Sequence, residues 1–158
     1  MAIVLTASLL SADEATRIVT VGGAATEIVF ALERGDDVVG VDLSSTYPES
    51  VRDLPQVGYV RSISAEGVLA LEPTKIISTA DIGPANALEQ IQASGVPTSV
   101  IPSPSSPEEL YEAIDLLGNE LDRSEAANEL KLQIQSQLER IETLDTKPKV
   151  VFFMSSQG

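Results

Sequence analysis

The chain has 158 residues, 43% of them apolar, which is enough for one domain with a sizeable core but not for two large ones. Ten Lys and Arg residues against 24 Asp and Glu leave a net charge of -14, which excludes a nucleic-acid or anionic-membrane binder and points to small ligands or basic protein surfaces as partners. The absence of cysteine excludes disulfides and thiolate catalysis and fits cytosol and periplasm alike, and the absence of histidine removes the commonest transition-metal ligand and the commonest general base.

The first segment, AIVLTASLLSA over residues 2–12, is a short apolar and small-residue run met at once by Asp13 and Glu14. Residues 1–15 therefore read as the remnant of a secretory signal peptide, which implies export. No Lys or Arg precedes the run, and the alternative is a core segment over residues 2–10. No stretch is long enough for a transmembrane helix, so no membrane insertion is expected after signal removal.

From residue 17 strand-like and helix-like segments alternate. RIVTV (17–21) is a β-branched run broken by Gly22 and Gly23; the helix that follows sets Ile28, Val29 and Leu32 on one face and is expected to end at Gly35. DVVGVD (37–42), KIIST (75–79) and TSVIP (98–102) are further strands. Between the last two, Pro84 stands in the first turn of a helix with apolar residues at 88 and 91 and Gly95 as its stop. This alternation implies βαβ units, hence an α/β fold with a Rossmann-like parallel sheet covered on both faces. Residues 16–121 would form this amino-terminal lobe, with ligand in the loops at the carboxyl ends of the strands.

Ser106 as N-cap, Pro107 at the first helical position and Glu109 as capping-box partner open the next helix, which should stop at Gly118. A long linking helix is expected over 122–145, with Ala126, Leu130, Ile134, Leu138, Ile141 and Leu144 three or four apart. Its ordered part, at roughly 20 residues, would span about 30 Å, a strut between two bodies. Residues 146–158 contain VVFFM, a strand so apolar that it needs cover on both faces, and read as the start of an incomplete second lobe. The alternative places this strand at the edge of the first sheet.

Three constellations bear on function. VGGAATE follows a strand and opens a helix, and Asp42 ends the next strand where a ribose-binding acid would sit, but the adjacent Gly22 and Gly23 and the alanines after them do not make a dinucleotide fingerprint. Serines 44, 45, 103, 105 and 106 have no histidine or cysteine to form a triad with, and Glu27 and Asp42 read as a helix-face carboxylate and a strand-end cap rather than a catalytic pair. The third constellation is VGYVRSIS (57–64), where Tyr59 and Arg61 stand two positions apart in a segment with no clear helical or strand period.

LPQVGYVRSISAEGVLALEP (54–73), together with VGGAATEIVFAL, GVDLSSTYP and KIISTADIGP, resembles the haemin-binding proteins of bacterial ABC importers. These belong to the class, shared with cobalamin and siderophore binders, whose two lobes are joined by a rigid long helix. The resemblance runs from about residue 17 to the end of the chain, and the Tyr-x-Arg element is what points to haem. It implies that Tyr59 binds ferric haem iron through its phenolate and that Arg61 supports the phenolate or a propionate. It also implies a periplasmic protein without enzymatic activity that delivers haem, its transported ligand, to an ABC transporter permease dimer, docking through Glu66 in the helix capped by Ser64. Dipole complementation alone would also explain Glu66.

The chemistry agrees. A free phenol loses its proton near pH 10, so presenting it as a phenolate at neutral pH needs about 4 kcal/mol of help, which hard ferric iron and a nearby guanidinium supply. In an extended loop, residues two apart point the same way. Without the surrounding motifs, a lone loop tyrosine is ordinarily a packing residue. Tyr47 reads as a packing residue near the cleft, and Tyr111 as part of an apolar stripe with Leu110 and Ile114. The rival readings are a cobalamin or ferric-siderophore binder and, from another class, a nucleotide-binding Rossmann enzyme.

Overall fold

The computed structural model describes residues 15–141, with 149, 151 and 152. Its centre is a four-stranded parallel sheet of β1 (Ile18–Val21), β2 (Val38–Val41), β5 (Lys75–Thr79) and β6 (Thr98–Ile101), in the order β2-β1-β5-β6. All four are the β-branched runs that the sequence marks out as strands. A two-stranded antiparallel hairpin, β3 (Gly58–Tyr59) with β4 (Ser62–Ile63), stands apart from this sheet.

The sheet separates two cores, one on each face. Ile18, Ile77 and Ile101 pack with Ile28, Val29 and Leu32 of α1 (Gly23–Ala31) and its following turn, Ile114 and Leu117 of α4 (Pro107–Glu120), and Ala127 of α5 (Ser124–Leu138). Val19, Val21 and Ile76 pack on the other face with Val68 of α2 (Ala65–Leu69), Ala87 and Ile91 of α3 (Ala85–Ala93), and the hairpin's Val60 and Ile63. Burial on both faces explains why Ile18–Val21 of β1 and Ile76–Ile77 of β5 are apolar or β-branched without alternation, whereas edge strand β6 has Val100 exposed. The three-layer α/β arrangement matches the expectation from sequence.

Helix ends differ from it for a common reason. The first helix stops at Ala31, before Gly35, because Glu33 takes the left-handed conformation with φ 59°. Glu72 and Asp122 play the same part after α2 and α4, with φ 48° and 55°. Only after α3 does a glycine, Gly95 with φ 82°, occupy the expected place. Pro84 is the N-cap of α3 rather than a residue of its first turn.

Gly118 lies inside α4, not at its end. A Cβ there would sit 2.5 Å from the Ala127 Cβ of α5, so the missing side chain is what lets the two helices approach. Gly118→Val is therefore expected to destabilise the protein by about 2 kcal/mol through overpacking, read as a lower urea midpoint at unchanged slope.

The start of α4 is capped as expected on one side only. Ser106 Oγ accepts from the Glu109 N–H at 3.2 Å, but the Glu109 carboxylate reaches past Ser106 to accept from the Ser105 N–H at 2.7 Å and its hydroxyl at 2.8 Å. These bonds, the backbone one first, hold the Glu109 carboxyl below its ordinary value.

The helix expected as a linker is shorter than the sequence suggests. It begins after Arg123, runs for 15 residues, about 22 Å, and closes at Leu138. Ala126, Leu130 and Ile134 pack on the first core as their spacing predicts, whereas Leu138 and Ile141 are exposed. Residues 1–14, where a leader is expected, and most of 142–158 lie outside the described residues; Val151 and Phe152 are described and are exposed and in no strand.

Candidate functional site

The strand order reverses between β1 and β5, and the loops leaving the carboxyl ends of all four strands meet there. Gly22, Gly23 and Ala24 after β1, Ser44 after β2, Thr79 and Asp81 at the end of β5, and Ser103 and Pro104 after β6 line a shallow depression of about 170 Å³, with Val60 of the hairpin at one side. An apolar groove of about 490 Å³ adjoins it, sharing Gly23, Ala24 and Pro104 and continuing over Ile28, Leu110, Ile134 and Leu138, with Glu27 as its one acid.

Gly22 has φ 97° and a side chain there would collide with Thr79, so this turn needs glycine for conformation and for close approach. Its N–H donates at 2.8 Å to Asp42 Oδ1, which also accepts from the Ser45 hydroxyl at 2.7 Å. Asp42 Oδ2 accepts from the N–H and hydroxyl of Ser44 at 2.8 and 2.6 Å. With Ser45 donating to the carboxylate, Thr26 must donate to Ser45 and Thr20 to Thr26, each at 2.7 Å, forming a buried hydroxyl chain that ends on the charge. Asp42 is fully buried. It is a strut that fixes the β1 and β2 loops, and it is in no position to meet a ribose.

The remaining serines are equally structural. Ser103 donates to Asp81 Oδ2 at 2.7 Å, and Ser105 and Ser106 serve the start of α4. Glu27 is exposed in the adjoining groove while Asp42 is sealed, so the two carboxylates form no catalytic pair. Among the described residues no group of acidic side chains is arranged to hold a metal ion.

Tyr59 and Arg61 lie on the hairpin. Tyr59 pairs with Ser62, and Val60 and Arg61 form the two-residue turn between them. Arg61 is therefore in a tight turn and not in an extended segment, so the alternation argument that would align it with Tyr59 does not apply. Both side chains are nevertheless exposed, Tyr59 at 48%, while Val57, Val60 and Ile63 are buried beneath them. Among the described residues neither the Tyr59 hydroxyl nor the Arg61 guanidinium has a hydrogen-bond partner.

Main-chain bonds pin this hairpin to the loops after β2 and β5. The Leu43 N–H donates to the Gly58 carbonyl, Gly83 N–H to Val60 and Ile63 N–H to Gly83, each at 2.8 Å. Leu43 is itself 52% exposed, which sets an apolar side chain beside the strand that carries Tyr59. Tyr47, read from sequence as a packing residue, is 66% exposed, because the loop after Ser45 leaves the core. Tyr111 is half-buried on α4, facing Leu132 and Lys131 of α5 across a shallow groove. Glu66 is exposed in the first turn of α2, whose cap is the Ser64 hydroxyl accepting from the Gly67 N–H at 3.1 Å, as expected. Sequence reasoning did not single out Asp81 or Leu43, although each lies within two residues of the end of a recognised strand.

A parallel sheet whose strand-end loops converge on an open depression, next to an anchored loop presenting a phenol, defines a ligand-binding lobe. The chain belongs to the periplasmic binding protein family, whose profile matches residues 18–158. It is similar to the periplasmic heme-binding protein RhuT of Roseiflexus sp. RS-1, at 40% identity and a TM-score of 0.75 over 79% of this chain and 48% of that one. It is also similar to a periplasmic heme-binding protein of Pseudomonas aeruginosa, at 36% identity and a TM-score of 0.76 over 79% and 45% of the two chains. A vitamin B12-binding protein of Vibrio campbellii is 29% identical over 140 residues, 88% of this chain and 50% of that protein. The chain thus spans about half the length of the relatives it matches.

Proposed function

We propose that this chain is the amino-terminal ligand lobe of a periplasmic binding protein that captures ferric haem through the Tyr59 phenolate and passes it to an ABC transporter permease. The observation that supports this reading is that Tyr59 is exposed on a hairpin fixed by backbone hydrogen bonds to the loops after β2 and β5, with the neighbouring Val60 lining the depression. The sequence contains no imidazole or thiolate to compete for the iron. A phenolate is a hard anionic ligand and favours Fe(III), the state of haem outside the cell.

Arg61, one residue beyond Val60, supplies the nearby positive charge that stabilises a phenolate or meets a propionate. Leu43 offers apolar contact to the flat macrocycle. Residues 16–121 form the ligand lobe, α5 begins the connection, and a second lobe closes the cleft from the other side. Glu66, outside the ligand face, docks on basic residues of the permease. The protein is a binder rather than an enzyme.

Relatives named for vitamin B12 favour one second reading, a cobalamin binder of the same family. Titration separates the two. Haemin is expected to give a high-spin ferric spectrum with a phenolate charge-transfer band and to raise the melting temperature, while cyanocobalamin at the same concentration leaves melting unchanged. Stabilisation by cyanocobalamin alone would reverse the assignment.

A further inference from the structure

The depression at the strand ends holds about 170 Å³, against the roughly 300–1,000 Å³ of pockets that take a whole small ligand, so it suits a single functional group. Three donors that line it have no acceptor among the described residues. Two are the Gly23 and Ala24 N–H groups in the first turn of α1, whose N-cap Gly22 has no side chain to serve them. The third is the Thr79 hydroxyl. Thr79 is only 4% exposed, its Oγ1 lies 2.3 Å from where a Gly22 Cβ would stand, and no described group accepts its proton. A buried hydroxyl left unpartnered against a bare helix start is a sign of a ligand that the helix end alone would not give. One acceptor lines the same depression: Asp81 Oδ2 takes the Ser103 hydroxyl at 2.7 Å, while Oδ1 has no partner among the described residues.

Charge decides which class of group fits. A helix N-terminus carries about half a unit of positive charge. Here the fully buried Asp42 already accepts from the Gly22 N–H at 2.8 Å, Asp81 adds a second full negative charge, and none of the lining residues is Lys or Arg. A carboxylate or phosphate is therefore repelled. A cation would meet Asp81 but would leave the three donors unmatched. We infer that the depression is a binding site for an uncharged carboxamide group, whose carbonyl oxygen accepts from the α1 amides and the Thr79 hydroxyl and whose N–H donates to Asp81 Oδ1. The site stands independently of the haem reading, since neither Tyr59 nor Arg61 lines it and haem carries no amide. It gives the lobe a means of sorting ligands by one substituent, accepting an amide and turning away the matching acid.

The test uses small probes on the ¹⁵N-labelled chain, reading the amide resonances of Gly23 and Ala24. Propionamide is expected to move both in a saturable way, and propionate at the same concentration and neutral pH to move neither. N,N-dimethylpropionamide keeps the carbonyl but has no N–H for Asp81, and should bind about tenfold more weakly or worse. Thr79→Val, which removes the hydroxyl at nearly constant shape, should weaken propionamide about fivefold, and Thr79→Ser should restore it. Asp81→Asn, in which Ser103 still has a side-chain oxygen to donate to, should let propionate produce the shifts that the wild type denies it. No saturable shift with propionamide, or equal binding of propionate and propionamide by the wild type, overturns the site; the three probes on the wild type decide this even if a variant fails to fold. Equal binding of the dimethyl amide removes Asp81 from it and overturns the carboxamide assignment. The phenolate band with haemin is a separate reading, so this inference and the haem site fail independently.

Discussion

Tyr59→Phe is expected to abolish the phenolate charge-transfer band and to weaken haemin binding by about a hundredfold or more. Losing groups that only orient a metal ligand commonly costs ten- to a hundredfold, and here the proposed ligand atom itself is removed. Because the side chain is 48% exposed and makes no hydrogen bond among the described residues, the urea midpoint should stay where it is. The loss is then one of chemistry, not of folding. Tyr47→Phe is the matched control, since Tyr47 is the other strongly exposed phenol, at 66%. A band that survived in Tyr59→Phe and vanished in Tyr47→Phe would move the iron ligand to the β2 loop.

Asp42→Ala should have the largest effect on stability, about 3–5 kcal/mol, from removing a buried carboxylate and stranding its donors. Four hydrogen bonds end on this group, two of them from backbone amides, and its oxygens are out of reach of water. A domain of ordinary stability has about 5–15 kcal/mol in total, so the variant should be partly unfolded near physiological temperature. Equilibrium urea unfolding measures it, and a loss below about 1 kcal/mol would mean that the hydroxyl chain through Thr20, Thr26 and Ser45 re-satisfies itself without the charge. Gly22 and Ser44 both line the depression, so what fixes the fold here also shapes the ligand face.

The centre of the sheet was legible because β1 and β5 are buried on both faces, and a run such as IVTV or KIIST suits such a place. The hairpin was not. Each of its strands has two residues, and the turn at Val60 and Arg61 resets the alternation, so the buried positions 57, 60 and 63 fall three apart and mimic neither a strand nor a helix long enough to recognise. Helix ends were misplaced where the chain uses Glu33 and Asp122 in the left-handed region, a conformation that only glycine announces in a sequence. Gly118 misled in the opposite sense, since a glycine required for helix contact reads the same as one required for a stop.

The site divides along similar lines. Tyr59, Arg61 and Glu66 were singled out through the motif in which they stand, and all three are exposed. Asp42 was noticed from its position after β2, yet whether an acid at a strand end faces a ligand or a ring of donors depends on Gly22, twenty residues away, and on two serines turning inward. Asp81 escaped because a single aspartate after a strand has no distinguishing pattern until the loops of β5 and β6 are brought side by side.

The three bonds that hold the hairpin are all amide to carbonyl, and none involves what residue 59 carries. The loop is thus a socket with an interchangeable tooth: the scaffold fixes where a side chain is offered, and in the proposed haem site one codon would decide which metal oxidation state it suits.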